Sequence, residues 1–407
     1  MLLALNKIFP SADLYTSVYN KQNASWAKVF NVKTSFLQNF PKAKTSHQLY
    51  AALMPVAFES FNFDGYDLVI SVTSEAAKGI ITKPHTLHIC YCLTPTRYLW
   101  SGYADYFRNP FLRFFSKPVV SYLRKWDKIA AQRPDYFIAI SKEVQNRIKK
   151  YYGRESEIIY PPLSSFPSVT NRRSRFSDDA RRTMPQSSKS SRSLSENLSS
   201  GQTQNDVTVF DSPQNEAPHG FVPATSYQSS IINNHKTENN GGYFLVVSRL
   251  EYISYKKVEI AIEACNRLKL PLKIVGVGRG EKKLKSIAGQ TVEFLGQLTD
   301  GELSFYYKNC RALIFPGLED FGLVMAEAQA FGKPVIAFRG GGALDIIKEG
   351  ITGEFFNEQT SGSLEEVLVK FNSSGYNSKL CKENAEKFSF GKFEENFKRF
   401  LEGKLKV

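Results

Sequence analysis

Two carboxylates late in the chain flank a predicted helix start in a way that suits an anionic ligand carrying hydroxyl groups. Glu319 precedes a helix that we predict from Gly322 to about Ala330, and Glu327 lies two turns inside it. Unpaired backbone N–H groups and partial positive charge at the first turn favour a phosphate there. The carboxylates can accept hydrogen bonds from hydroxyl groups of the same ligand. The plain alternative is that Asp320 caps the helix and both glutamates are solvated.

A second unit of the same kind follows at once. The apolar stretch 333–338 predicts a buried parallel strand, three glycines follow Arg339, and another helix is predicted from Ala343 to Lys348. Two successive strand–glycine–helix units place two helix N-termini at one edge of a parallel sheet, where open α/β sheets bind ligands. The repetition favours a binding site over the plain alternative.

The ordered residues of this region resemble the donor site of family-4 glycosyltransferases. They read Phe-Pro-x-x-Glu-Asp-Phe-Gly-x-x-x-x-Glu-Ala, then Gly-x-Pro-Val-Ile-Ala and Arg-Gly-Gly. Members of that family are retaining enzymes with the GT-B fold. The resemblance implies that Glu319 contacts the donor sugar and that Glu327 contacts the nucleotide ribose. It also implies donor contacts from neighbouring residues of the same stretch: Asp320, Phe321, Gly322, Leu323, Arg339, Gly340 and Gly341.

Two cations match the phosphate-binding positions of the family. Arg249 follows a predicted strand from Tyr243 to Ser248, and Lys256 stands in Tyr-Lys-Lys after a slightly longer spacer than in the family. By that match both face the donor diphosphate, where fixed positive charge offsets the charge that develops on the leaving phosphate. As an isolated pair they would usually be surface charges.

The Gly-x-Gly turn after a predicted strand at Leu272 is a second nucleotide signal. The third glycine of a dinucleotide fingerprint would fall on Glu281, and no acidic ribose partner follows at the usual distance, so the sequence does not predict NAD binding. Gly276 and Gly278 are instead predicted to contact the nucleotide, as the corresponding turn does in the resembled family.

Residues 1–162 alternate between strand and helix patterns, which predicts a parallel sheet with helices on both faces. Cys-Tyr-Cys-Leu-Thr-Pro-Thr-Arg-Tyr-Leu-Trp resembles the acceptor domains of mannosyltransferase-like members. The resemblance places Thr94, Pro95 and Arg97 on the acceptor side of the cleft.

Two departures from the resembled family bear on activity. The family begins with a strand and a Gly-rich loop that this sequence does not show, so we expect the first sheet to lack its central strand. The family also has His where this chain has Leu93, and leucine cannot move a proton. The alternative to an enzyme is therefore a catalytically impaired nucleotide-sugar-binding protein.

Segment composition divides the chain. Residues 163–242 are rich in Ser, Asn, Gln and Arg and poor in aromatics, so we predict a disordered insertion. Residues 243–388 form the predicted donor domain. Residues 389–407 are predicted to form a final helix that crosses back to the first domain. The expected fold is α/β, with two Rossmann-like domains facing a cleft and the insertion between them.

Composition limits the class of protein. A chain of 407 residues with 42% hydrophobic residues is long enough for two or three domains. No apolar run approaches the roughly 20 residues that span a bilayer, and the start lacks a signal-peptide pattern. Five cysteines without metal-ligand spacing predict reduced thiols and no metal site. We expect a cytoplasmic protein that needs no cofactor.

Positive charge is concentrated in the first part of the chain. Residues 1–162 hold 21 basic and 11 acidic residues, a difference of +10 out of a net +14. No nucleic-acid motif accompanies this charge, so no nucleic-acid partner is predicted. Residues 97–126 interleave aromatic and basic residues, which is typical of a face that contacts an anionic membrane. The alternative is an ordinary amphipathic helix packed on the sheet.

Together these features predict transfer of a hexose with retention at the anomeric carbon, by front-face attack as the resembled family implies. The favoured donor is GDP-mannose, and the acceptor is a glycan or a polyprenyl-linked glycan in surface polysaccharide synthesis. The predicted place of action is the inner face of the membrane.

Overall fold

A computed structural model of the chain describes residues 1–107, 109–163, 206–210, 242–251 and 255–405. Over these ranges the chain forms two parallel sheets, each with its own helices. The predicted α/β class with two Rossmann-like domains is confirmed.

The first domain alternates strands and helices. Its described strands are β1 (Asp13–Thr16), β2 (Val32–Thr34), β3 (Leu68–Thr73), β4 (Leu87–Cys92), β5 (Tyr136–Ala139), β6 (Glu157–Ile158) and β7 (Asp206–Phe210). Its described α-helices are α1 (Leu2–Ile8), α2 (Ala43–Ser46), α3 (Met54–Glu59), α4 (Tyr103–Tyr106), α5 (Pro110–Ala130) and α6 (Lys142–Tyr152). Short 3-10 turns lie at Ser25–Val29, Phe36–Asn39, His47–Leu53 and Ala77–Gly79.

The strand order of the first sheet is β2-β1-β7-β3-β4-β5-β6, and every neighbouring pair is parallel. All positions of β3 are buried, as are the last five of β4, because helices cover both faces of a parallel sheet. The carboxyl ends of the strands meet at one edge. The turn that carries Thr94, Pro95 and Arg97 leaves the sheet at this edge.

Strand β7 comes from the segment between the two domains. The sequence predicted that 163–242 is disordered and that the first sheet lacks a central strand. The structure instead places Asp206–Phe210 between β1 and β3, so the sheet is continuous. The remaining parts of the predicted insertion, 164–205 and 211–241, lie outside the described residues.

The second domain repeats the same layering. Its described strands are β8 (Tyr243–Val247), β9 (Leu272–Val275), β10 (Val292–Gly296), β11 (Cys310–Phe315), β12 (Val335–Phe338) and β13 (Gly353–Phe356). Its described α-helices are α7 (Val258–Leu268), α8 (Glu281–Ile287), α9 (Asp300–Asn309), α10 (Leu323–Ala330), α11 (Ala343–Ile346), α12 (Ser361–Lys370) and α13 (Ser378–Ala385). The strands order as β10-β9-β8-β11-β12-β13, all parallel.

For two helices of this domain, the predicted last residue can be compared with the observed one. The helix predicted to end near Ala330 does so, since α10 closes at that residue. The following helix was predicted to reach Lys348, but α11 ends at Ile346. Ile347 has extended backbone angles, so the last predicted turn does not form.

The final helix, α14 (Phe390–Leu405), packs on the first domain. Its buried face includes Phe393, whose ring lies 6.3 Å from that of Tyr91, and Phe400, whose ring lies 6.1 Å from that of Tyr136. The helix therefore links the end of the chain to the first sheet. No helix in the described part of the chain is long and apolar enough to cross a membrane.

Candidate functional site

The carboxylate loop, residues 316–322, joins β11 to α10 and carries Glu319 and Asp320. Its last residue, Gly322, is the N-cap of α10 and has a φ of 89°. That left-handed backbone favours glycine, and a Cβ at this position would lie 2.4 Å from Met325 Cε. The turn places both carboxylates directly ahead of a helix N-terminus.

A glycine turn, residues 340–342, lies against the carboxylate loop. Gly341 has a φ of 58°, and a Cβ there would come within 2.2 Å of the Glu319 carbonyl oxygen. The Gly342 N–H donates a hydrogen bond to that same oxygen over 2.9 Å. The two strand–glycine–helix units are therefore side by side at one edge of the sheet, which confirms the arrangement predicted from their order in the sequence.

Lys256 and Glu319 form an ion pair whose side chains are 16% and 18% exposed. The Lys256 ammonium also lies 5.0 Å from the centre of the Tyr255 ring. A Cβ on Gly317 would be 2.9 Å from Lys256 Cα, so the carboxylate loop packs on the backbone that carries this lysine. Both charged groups keep part of their exposure, and a ligand can therefore reach either one.

Arg249 is half-buried in the turn after β8, and the glycine loop after β9 packs on this turn. Gly276 has a φ of 133°, and a Cβ there would be 1.8 Å from the Ser248 carbonyl oxygen. A Cβ on Gly278 would be 2.2 Å from the Leu250 carbonyl oxygen. Only glycine allows this approach of two backbones. The structure thus brings the predicted nucleotide turn beside Arg249.

Glu327 lies inside the second domain and is 9% exposed. Its carboxylate accepts a hydrogen bond from the Tyr307 hydroxyl over 3.0 Å. Burial raises the pKa of Glu327 to about 7, and the hydrogen bond from Tyr307 opposes part of that rise. Its contact with a ribose stays a prediction.

The turn that carries Thr94, Pro95 and Arg97, which we call the acceptor-side turn after the role predicted for it, reaches the carboxylate loop. Arg97 Nε donates a hydrogen bond to Asp320 Oδ2 over 3.0 Å, and Arg97 Nη2 lies 2.9 Å from the same oxygen. The guanidinium also lies 4.8 Å from the centre of the Tyr255 ring. Thr94 and Pro95 are buried beside it. Residues predicted for the two sides of the cleft therefore meet.

Arg147 on α6 is a site residue that sequence reasoning missed. Its guanidinium forms an ion pair with Asp320 and is 11% exposed, and its Nη1 lies 3.5 Å from Thr94 Oγ1. No motif marks this residue. The signal in the sequence is its place in the middle of a helix that follows a parallel strand, because the N-terminal end of such a helix faces the ligand edge of the sheet.

A buried polar network centred on Asp127 of α5 contacts the acceptor-side turn. Asp127 accepts hydrogen bonds from Thr96 Oγ1 over 2.9 Å, Trp100 Nε1 over 2.7 Å and the Tyr152 hydroxyl over 2.8 Å. The Lys78 ammonium lies 2.6 Å from the same carboxylate, and both groups are buried. Because every oxygen of Asp127 has a partner, the network holds the turn in one position.

The side chain of Arg339 lies apart from the Lys256–Glu319 pair. Its Nε donates a hydrogen bond to Asn357 over 2.8 Å, and its guanidinium forms an ion pair with Glu349. The backbone after Arg339 reaches the carboxylate loop through the glycine turn, whereas its charge is directed to the end of β13. Its contact with a donor stays a prediction.

Leu93, which replaces the histidine of the resembled family, directly follows β4. Its N–H donates a hydrogen bond to the Thr73 carbonyl oxygen over 2.8 Å, and its half-buried side chain packs against the core. It acts in this structure as a packing residue next to the acceptor-side turn.

The fold and the site define an α/β protein of the GT-B fold whose cleft brings cations, carboxylates and two helix N-termini together. Residues 228–388 match the family described as Glycosyl transferases group 1. The second half of the chain is therefore similar to the group 1 glycosyltransferases.

Curated relatives with related names match parts of the chain. The O-antigen chain mannosyltransferase C of Escherichia coli is 26% identical over 211 residues, covering 50% of this chain and 53% of that protein. A GDP-mannose-dependent alpha-mannosyltransferase of Corynebacterium glutamicum is 37% identical over 101 residues, covering 25% of this chain and 24% of that protein. The chain thus spans about half, or less, of the length of the curated relatives it matches.

Solved structures resemble the whole chain at lower identity. The crystal structure of HepE from Anabaena in complex with UDP and glucose has a TM-score of 0.56 and 17% identity, and the match covers 98% of this chain and 94% of that one. At this identity the likeness shows the fold alone.

Proposed function

We propose that this protein is a retaining family-4 glycosyltransferase that moves a hexose from a nucleotide-sugar donor to a glycan or lipid-linked acceptor. One observation carries the proposal. The Lys256–Glu319 pair, two adjacent helix N-termini and the arginines Arg97 and Arg147 of the other domain all meet around the carboxylate loop. An activated sugar presents a diphosphate, a ribose and sugar hydroxyls, which are the groups that such a set of side chains recognises.

The donor side supplies positive charge where the leaving group develops negative charge. Lys256, Arg249 and the N–H groups of α10 would bind the diphosphate and stabilise it as the glycosidic bond breaks. Diphosphate binding at Lys256 would release Glu319 from its ion pair, so that its carboxylate accepts hydrogen bonds from sugar hydroxyls. These fixed charges are sufficient without a divalent metal ion, and the proposal includes none.

Retention is proposed to proceed on the front face of the sugar. An acceptor hydroxyl oxygen forms a bond to the anomeric carbon while the bond from that carbon to the phosphate oxygen breaks. The acceptor proton passes to the departing phosphate oxygen, so no enzyme base is needed. Leu93 is compatible with this route because the proton does not pass through the side chain at that position.

GDP-mannose is the donor that we propose. The names of two curated relatives specify mannosyl transfer, and one of them specifies GDP-mannose. Arg97 and Arg147 line the other side of the same cleft, where their charge suits an acceptor carrying phosphate, such as a polyprenyl-linked glycan. A lipid-linked acceptor implies work at the inner face of the membrane in surface polysaccharide synthesis.

The test is calorimetric titration with GDP-mannose, followed by an assay of sugar transfer and of donor hydrolysis. We expect binding and turnover in the native protein, and a turnover lowered by about 100-fold to 1,000-fold in Lys256→Ala. The matched control is Lys379→Ala, which removes a lysine whose side chain is 83% exposed on α13.

The outcomes separate the proposals. No binding of GDP-mannose, with binding of UDP-glucose, overturns the choice of donor. Tight binding with no turnover in the native protein supports the alternative of a nucleotide-sugar-binding protein that has lost catalysis. Equal turnover in the Lys256 variant and the control overturns the role given to Lys256.

A further inference from the structure

The first half of α5 exposes a stripe of large apolar side chains. Phe111, Phe114 and Phe115 are 77%, 66% and 72% exposed, and Val119 and Tyr122 continue the stripe. The other four residues lie 3, 4, 8 and 11 positions after Phe111, and at 3.6 residues per turn this spacing places all five on one side of the helix. Side chains of this size are rarely left in water as a group without a partner.

The stripe is not the face by which α5 packs on its own domain. Among the helix residues whose burial the structure describes, the buried ones are Val120, Leu123, Asp127 and Ala130, which lie on another side. Val120 and Leu123 pack against Leu99. These buried positions run from Val120 to Ala130, whereas the three exposed phenylalanines precede them.

Positive charge borders the stripe. Arg113 and Lys117 lie one turn apart beside the phenylalanines, and both are exposed. No acidic residue occurs between Pro110 and Trp126. Basic and aromatic side chains together are the composition of segments that rest in the headgroup region of anionic bilayers. An apolar protein partner would not require the cations.

We propose that this surface is a docking face for an anionic lipid bilayer. The docking face consists of Phe111, Phe114, Phe115, Val119 and Tyr122, with Arg113 and Lys117 at its border. The phenylalanine rings enter the boundary between headgroups and acyl chains, and the two cations contact lipid phosphates. The protein binds the surface without crossing it.

The docking face lies close to the cleft. Between the acceptor-side turn and α5 stands α4, whose last residue is Tyr106. The Tyr106 ring lies 6.2 Å from that of Tyr98, which directly follows Arg97 in the acceptor-side turn. A lipid-linked acceptor held in the bilayer would enter beside Tyr106. This use of the docking face depends on the proposed function, whereas binding to lipid does not.

The test is flotation of the full chain with vesicles that contain no acceptor. Vesicles of phosphatidylcholine alone are compared with vesicles that include phosphatidylglycerol. We expect binding to the anionic vesicles, weakened by added salt. The triple variant Phe111→Ser/Phe114→Ser/Phe115→Ser should bind about tenfold more weakly, and so should Arg113→Glu/Lys117→Glu. The matched control is Phe305→Ser/Val369→Ser, which removes two exposed apolar side chains from the second domain.

Three results would overturn the proposal. The first is failure of the native chain to bind anionic vesicles. The second is an equal loss of binding in the control and in the triple variant. The third is a dimer, seen by sedimentation without lipid and lost in the triple variant, since a second copy would then cover the face. Thermal unfolding verifies that each variant is folded. Titration with GDP-mannose is independent of all three results, so failure of docking and failure of the proposed chemistry are distinguishable.

Discussion

At the scale of single residues, Glu327 shows how burial changes the pKa of a carboxylate that belongs to a sequence motif. Its ordinary pKa of 4.5 is raised to about 7, chiefly by burial inside the second domain. Between these two values the folded protein retains a proton that the unfolded chain has lost. The free energy of unfolding therefore falls as the pH rises through this window, and the loss is complete above the folded pKa.

We predict that Glu327→Gln removes this pH dependence. The glutamine keeps an oxygen that can accept the Tyr307 hydrogen bond, but it carries no charge to bury. The variant should match the native protein near pH 4.5 and exceed its free energy of unfolding by roughly 1 to 3 kcal/mol at pH 8. Denaturant unfolding over this pH range measures the difference.

The matched control for this experiment is Glu263→Gln, on the exposed side of α7. The same amide substitution at an exposed site should leave the pH profile of stability as it is. If the free energies of unfolding of the native protein and Glu327→Gln differ by the same amount at every pH, the raised pKa of Glu327 is not the cause of the difference.

At the scale of elements, β7 is the strand that connects the two parts of the first sheet. It lies between β1 and β3, with Val209 opposite Tyr15 on one side and Ser71 on the other. Without β7 the pair of β1 and β2 would have no ladder to the rest of the sheet. The strand therefore contributes to the sheet that positions Thr94, Pro95 and Arg97.

We predict that Val209→Pro destabilises the first domain. Proline has no N–H, and every N–H of a strand with neighbours on both sides belongs to a ladder, so its removal should cost on the order of 3 kcal/mol. The measurement is the free energy of unfolding in denaturant. Ser187→Pro, in the same inter-domain segment, is the control. Equal stability of the two variants would mean that β7 does not pair in solution.

At the scale of the whole molecule, the two domains are joined through the site itself. Asp320 pairs with Arg97 and Arg147 of the first domain. The Phe321 ring lies 5.8 Å from that of Tyr160, so an aromatic contact accompanies the charges. The geometry of the cleft thus depends on contacts between the two halves of the chain.

We predict that Arg147→Met loosens the cleft. Asp320 keeps Arg97 but loses one of its two largely buried guanidinium partners, so the loss of stability should be roughly 1 to 3 kcal/mol. Small-angle scattering should show a larger radius of gyration. Lys149→Met, on the exposed side of the same helix, is the control. An unchanged scattering curve together with unchanged stability would show that this pair does not hold the domains.

The sequence by itself determined the α/β class and the two strand–glycine–helix units that lie side by side in the second domain. These features are contiguous in the chain. The spacing of apolar residues sets each strand and helix, and parallel strands bring successive turns to one edge of a sheet. Glu319 and Gly341 could therefore be placed in one site without coordinates.

Only the tertiary structure decided which distant groups complete the site. Arg147 and Asp320 are 173 positions apart, Glu327 and Tyr307 are 20 positions apart, and β7 pairs with strands from far earlier in the chain. No local pattern encodes such pairs, because they form only when packing of the sheets and domains brings the side chains together. The motif therefore predicted the type of chemistry, whereas packing determined the partners and the pKa of each group.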